Sequence, residues 1–180
     1  MIEQPMLIGG QTAQASNGAT FERRNPLDGS VATRAPAATA ADAVRAVEAA
    51  QAAFPAWAAL GPTQRRQMLM KASQALAAKA DAFAAAMAAE TGASGIWAGF
   101  NVHLSANMLL EAAALTTQIN GQVIPSDVPG SMAMAVRQPA GVVLGIAPWN
   151  APVILATRAI ATPLACGNTV VLKGSELCPA

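Results

Sequence analysis

The stretch from Gly141 to Glu176 constrains the fold of this chain more than any other. It reads GVVLGIAPWNAPVILATRAIATPLACGNTVVLKGSE. The apolar run Gly141–Ala147 reads as a strand, and Pro148 ends it. A helix-like segment follows over about residues 152–165, closed by Gly167-Asn168. Thr169-Val170-Val171-Leu172 is a second β-branched run that stops at Lys173 and Glu176. Strand, turn, helix, strand is a βαβ unit with parallel strands. In open parallel sheets, ligands sit beyond the carboxyl ends of the strands. Asn150, Lys173 and Glu176, the few polar groups in this apolar stretch, fall at those ends.

The rest of the chain leads up to this unit. Residues 6–37 read as extended, with Asn25-Pro26-Leu27-Asp28-Gly29 turning a β-hairpin at the edge of the molecule, an N-terminal clasp without chemistry. From Thr39 the period becomes helical, and Thr39 with Asp42 resembles a capping box. Val44, Val47, Gln51 and Phe54 fall near one helical face, Trp57 and Leu60 extend it beyond Pro55, and Gly61-Pro62 stops it. A second helix starts at Thr63 with Met68, Leu69, Ala72 and Leu76 as its apolar stripe and Arg65 and Arg66 outward. A third spans about Lys79–Glu90 and ends at Thr91-Gly92. A fourth covers about Ser94–Gln118, with Trp97, Phe100, Leu104, Met108, Glu111 and Leu115 along it. Residues 122–130 read as a proline-punctuated connection and residues 131–138 as a strand.

Composition closes several routes. Charged residues are 12% of the chain and the net charge is +1, so no clustered Lys and Arg footprint for nucleic acid exists. One histidine rules out a multi-His metal site, and Cys166 and Cys178 do not make a disulfide framework. The most apolar window, residues 140–157, holds Pro148, Asn150 and Pro152, which fits a membrane-spanning helix poorly. The start, MIEQPMLIGG, lacks the basic-then-apolar pattern of a signal peptide. The expected setting is a reducing cytoplasm.

Each candidate residue carries two readings. Asn150 is either an amide donor for a developing oxyanion or a turn asparagine bonding its own backbone. Lys173 and Glu176 are either a ribose clamp, Glu accepting from sugar hydroxyls and Lys donating, or a solvated pair at a strand end. Arg158 interrupts an otherwise apolar helix. It faces water or points into a pocket for an anionic or phenolic ligand. Trp97 is helix core or pocket wall, with core favoured. Cys166 reads as small packing, and Cys178 is not a nucleophile. Gly141, Gly145 and Gly167 do not make a GxGxxG phosphate loop.

The run GIAPWNAPVILATRAIATPLACGNTVVLKGSE, the Asn25-Pro26 and Asp28-Gly29 turn, Ala53-Phe54-Pro55-Ala56-Trp57 and Glu90-Thr91-Gly92 together resemble the aldehyde dehydrogenase superfamily, in order and over nearly the whole chain. Residues 119–130 and the Arg158 helix look most like its salicylaldehyde dehydrogenase branch. The resemblance implies an α/β fold, the N-terminal part of an aldehyde dehydrogenase fold: N-terminal hairpin and helices over residues 1–121, bridging and oligomerisation strands over 122–138, and the first βαβ unit of the nucleotide-binding sheet over 139–180.

By the same resemblance, Asn150 is the oxyanion donor that stabilises a cysteine thiohemiacetal. Ile146, Ala147, Pro148 and Trp149 line the dinucleotide cleft. Lys173, Ser175 and Glu176 bind the adenosine ribose, and the charge of Glu176 favours NAD over NADP. Arg158, Trp97, Ile154 and Leu155 are expected around an aromatic, salicylaldehyde-like aldehyde. A homo-oligomer, dimer or tetramer, is expected of the full-length enzyme. Gly174 stands where relatives often carry proline or another small residue. The family's nucleophilic cysteine and glutamate base lie well beyond Lys-x-Ser-Glu. The chain therefore reads as truncated, a fragment inactive by itself, with a nucleotide-binding or subunit-interaction module as the alternative.

Overall fold

The computed structural model describes residues 1–180 as nine strands and five helices, an α/β arrangement. The first five strands are β1 (Ile2–Glu3), β2 (Met6–Ile8), β3 (Gln11–Ala13), β4 (Thr20–Arg24) and β5 (Val31–Pro36). The expected hairpin is β4–β5, antiparallel across the Asn25–Gly29 turn, and β1 adds to β5 in parallel. A second hairpin, β2–β3, turns on Gly9 and Gly10, whose φ angles of 59° and 79° suit the two-residue turn that matches strand twist.

Helix α1 (Ala40–Ala58) begins with the predicted capping box: Thr39 Oγ1 accepts from the Asp42 N–H, and the Thr39 N–H donates back to Asp42 at 2.8 Å. Asp42 is 1% exposed and also accepts from the Ser16 N–H at 3.0 Å, which ties the N-terminal strands to the helix. The Thr39 and Ser16 bonds outweigh burial and hold its carboxyl down to about 2. A carboxyl lowered on folding stabilises the fold above its unfolded pKa of ~3.9, and that contribution fades as pH falls toward the folded value. Asp42→Asn is therefore expected to lower the urea midpoint at pH 7, with mutant and wild type converging near pH 2; a gap independent of pH would contradict this.

Helices α2 (Pro62–Ala77), α3 (Ala80–Thr91) and α4 (Gly95–Leu115) follow, α3 ending on Gly92 at φ 70°. Their inward faces correct three expectations. Val44, Val47 and Gln51 of α1 are exposed, and Ala46, Ala49, Ala50 and Phe54 turn inward. On α2, Leu69 is buried beside Ser73, whereas Met68 and Ala72 are exposed. On α4 the buried stripe is Ala98, Val102, Ser105, Leu109 and Ala112, so Trp97, Phe100, Glu111 and Leu115 lie on an open face. The reason is common to all three. Small residues let helix axes approach closely, and in alanine-rich helices the large side chains are left at the rim. Leu69, Leu109, Ala112, Ala113, Ala161 and Ala165 form the main core.

Strands β6 (Gln122–Ile124) and β7 (Ala133–Ala135) pair antiparallel into an exposed ribbon, so the first residues of the expected connection are strand. The βαβ unit is as predicted: β8 (Val142–Ile146), α5 (Pro152–Ala165) and β9 (Thr169–Lys173), the strands parallel from Val142↔Thr169 to Ile146↔Lys173. A parallel pair needs cover on both faces; α5 and α1 pack against it, but Leu144 and Ile146 stay exposed, at 63% and 64%. A Cβ on Gly145 would lie 2.9 Å from that of Ala159, so glycine permits this helix–strand spacing. Asn168 fastens the crossover: its Oδ1 accepts from the Ala140 and Gly141 N–H groups at 2.6 and 3.0 Å, and its Nδ2 donates to Pro163 O at 3.2 Å. Arg65, expected outward, turns in and donates to Ala165 O at 3.1 Å, while Trp57 Nε1 donates to Leu164 O at 3.1 Å. Both satisfy carbonyls at the negative end of α5. No helix is long and apolar enough to cross a membrane.

Candidate active site

Two polar groups stand at one edge of the sheet because the strands are in register. Ile146 and Lys173 are paired neighbours. Asn150 lies four residues past the first and Glu176 three past the second, so both stand beyond the carboxyl edge. Between β8 and α5, Pro148 and Pro152 stiffen the turn, and Pro152 occupies the first turn of α5, where a missing N–H is harmless. Asn150 is exposed, and its side chain makes no hydrogen bond, so the self-bonded turn is not formed. Its amide is free to donate. It also sits just ahead of the α5 N-terminus, whose unpaired N–H groups favour negative charge.

The backbone of this turn is held from α4. Trp97 Nε1 donates to Asn150 O at 3.1 Å, and the Trp97 ring stacks on Phe100 at 5.6 Å between centroids. Trp97 is 42% exposed, so its assignment to helix core is corrected: its N–H needs the Asn150 carbonyl, which lies at the surface. Of the four residues expected along the dinucleotide cleft, Ile146, Pro148 and Trp149 are exposed and Ala147 is buried.

At the end of β9, Lys173 Nζ lies 3.3 Å from Glu176 Oε2, with both side chains well exposed. The Glu176 carboxyl is lowered from its ordinary value by its own backbone N–H and then by Lys173, so it is an anion at neutral pH. Ser175 is buried, and its Oγ accepts from the Leu177 N–H at 3.2 Å. It shapes the turn that presents its neighbours.

Arg158 is exposed and makes no ion pair. It also borders a cavity of about 280 Å³ lined by Met108, Glu111, Leu115, Ala161 and Thr162. It lies six residues into α5, ~9 Å along the helix from Pro152. Trp97 does not line this cavity, so the aromatic ring and the guanidinium are not brought together. Ile154 is buried and Leu155 half-buried. Met108, Glu111 and Leu115 are the pocket residues that sequence reasoning missed. Their spacing of three and four puts them on one helical face, the one signal that could have found them.

Neither cysteine is poised for attack. Cys166 stands half-buried at the end of α5, and Cys178 is buried, its thiol pushed up to about 11 by desolvation and then by Glu90.

Comparison with known proteins matches the aldehyde dehydrogenase family over residues 13–180. A vanillin dehydrogenase of Pseudomonas fluorescens is 67% identical over 180 residues, 100% of this chain and 37% of that protein. A salicylaldehyde dehydrogenase of Pseudomonas putida is 49% identical over 179 residues, covering 99% of this chain and 37% of its own length. The crystal structure of a salicylaldehyde dehydrogenase from Pseudomonas putida G7, complexed with salicylaldehyde, superposes with a TM-score of 0.97 at 46% identity, over 99% of this chain and 37% of that one. The chain thus spans about 37% of the length of these relatives and corresponds to their N-terminal part.

Proposed function

Because the chain belongs to the aldehyde dehydrogenase family, we propose that it supplies the oxyanion donor and the dinucleotide-ribose site of an NAD-dependent enzyme oxidising a hydroxylated aromatic aldehyde, of the vanillin or salicylaldehyde type, to its carboxylic acid. One observation carries this reading: the free Asn150 side chain and the Lys173–Glu176 pair stand beyond the carboxyl ends of adjacent parallel strands.

The residues fit NAD. An exposed carboxylate accepts from the two ribose hydroxyls, and the ammonium beside it donates. The negative charge of Glu176 repels a 2′-phosphate, which favours NAD over NADP. When bound, NAD supplies the oxidising equivalent by taking up a hydride. The chain's own residues bind and orient. Asn150 donates its amide to the oxygen that becomes negative when a thiolate adds to the aldehyde, and the α5 N-terminus supports the same charge. Cys166 and Cys178 are not placed to be that thiolate. The nucleophile and its base are accordingly sought outside residues 1–180, and these residues alone are expected to form no NADH from aldehyde and NAD. Sustained NADH formation by them would overturn this.

Arg158 is the proposed selector for the ring hydroxyl. Its guanidinium is unpaired and at the cavity rim, and its planar donor fork makes a phenolic oxygen a suitable partner. In the whole enzyme, Arg158→Ala is expected to cut kcat/KM for salicylaldehyde or vanillin by about 10-fold or more, the size of one lost charged hydrogen bond. An aliphatic aldehyde should be affected far less. Equal losses for both would remove Arg158 from the pocket. The exposed β6–β7 ribbon, with Val123 and Met134 on its strands and Met132 and Val136 flanking β7, all exposed, supports a homo-oligomer in which it meets a second subunit.

A further inference from the structure

Three distant parts of the chain meet at one buried carboxyl group that the proposed chemistry does not use. Glu90 lies in the last turn of α3 and is 1% exposed. Its carbonyl oxygen accepts from Arg23 Nε of β4 at 2.7 Å, which brings in the N-terminal hairpin. Its side-chain Oε1 accepts from the Ala180 N–H at 3.1 Å, seven residues beyond the end of β9. Thr33 of β5 lies beside the same carboxyl, without closing a hydrogen bond of normal geometry.

Burying a carboxyl is unfavourable, and an apolar side chain of similar size would pack there at less cost. Desolvation raises the Glu90 pKa from its ordinary value, against the smaller opposing pull of Thr33, the Ala180 N–H and Arg23. A polar task explains why an acceptor stands at this position. That task is visible in what the acceptor holds. Between Lys173 and Ala180 the chain makes a tight turn, with the Cys178 N–H on Ser175 O at 3.2 Å and the Leu177 N–H on Ser175 Oγ at 3.2 Å. β9 anchors the near end of this turn and Glu90 the far end. Glu176 projects from its middle into solvent.

We propose that Glu90 is a positioning residue for the dinucleotide, fixing the turn that presents Glu176 to the ribose by accepting the N–H of Ala180. This rests on the reading of Lys173 and Glu176 as the ribose clamp. The N-terminal hairpin then has a part in cofactor binding, through Arg23 and the end of α3.

The test is NAD affinity and turnover in the whole enzyme, read as a Kd by fluorescence titration and a kcat at saturating NAD. Glu90→Ala should weaken NAD about 10-fold, as expected for a lost hydrogen bond to a buried acceptor, with kcat changed less than about twofold. Glu90→Gln retains an acceptor oxygen and should restore affinity, a rescue that simple loss of stability would not give. In a Glu176→Ala background, Glu90→Ala should add little, because both act through the same contact. If Glu90→Ala does not fold, Ala180→Pro removes the donated N–H without touching α3 and should produce the same shift. Unchanged affinity in Glu90→Ala or in Ala180→Pro, while Glu176→Ala weakens NAD, overturns the role of Glu90 alone. Unchanged affinity in Glu176→Ala overturns the ribose clamp, and the role of Glu90 with it.

Discussion

Replacing Asn150 by alanine in the whole enzyme is expected to lower kcat by about 10²–10³, the range for losing one oxyanion donor. The side chain is unengaged, it follows β8 at the edge where Lys173 and Glu176 stand, and Trp97 holds its backbone from α4 at 3.1 Å. The amide is thus held in place by bonds that do not consume it. Because the oxygen gains its charge only on the way to the tetrahedral adduct, the loss should fall on kcat, with NAD affinity unmoved. Pre-steady-state and steady-state rates with a single aldehyde would check this. An unchanged kcat would return Asn150 to the role of a turn residue.

The second large effect concerns stability. Leu69→Ala is expected to destabilise by about 2–5 kcal/mol, from lost burial and from the cavity left behind. Leu69 is 2% exposed and packs against Leu109, Ala112, Ala113, Ala161 and Ala165. Four of those five neighbours are alanines, whose methyls cannot swing into a void, so the site has little means of collapse. The same helices carry the site: α5 starts at Pro152, just after Asn150, and α4 holds Trp97. Urea unfolding followed by tryptophan fluorescence would measure the loss, and Leu69→Met, which keeps the volume, should cost less than about 1.5 kcal/mol. A loss below 1 kcal/mol for Leu69→Ala would show that the helices close up after all.

Much of the architecture was legible because its signals are local. The Thr39–Asp42 capping box, the turn after Arg24, the glycine stop of α3 and the strand–helix–strand order of residues 141–173 each depend on a few adjacent residues. Helix faces were not legible. On α4 Trp97 reads as core from the sequence, whereas it is exposed and Ala98, Val102 and Leu109 are buried. An alanine-rich helix offers little contrast between its sides, and which side turns inward depends on a partner helix distant in sequence. Arg65 shows the same limit. Nothing within α2 marks it as the group that satisfies Ala165 O, 100 residues away.

The candidate site divides along the same line. By itself the sequence determined the βαβ unit and the polar residues at its strand ends, because strand length, proline position and glycine punctuation act over one or two turns of chain. Only the tertiary structure decided that Asn150 is free of its own turn, that Trp97 holds it from α4, that Arg158 borders a cavity with Glu111 and not with Trp97, and that Glu90 fastens the turn bearing Glu176. The contacts among these join residues 47 to 90 positions apart, and such contacts are set by how the elements pack, which no local pattern encodes.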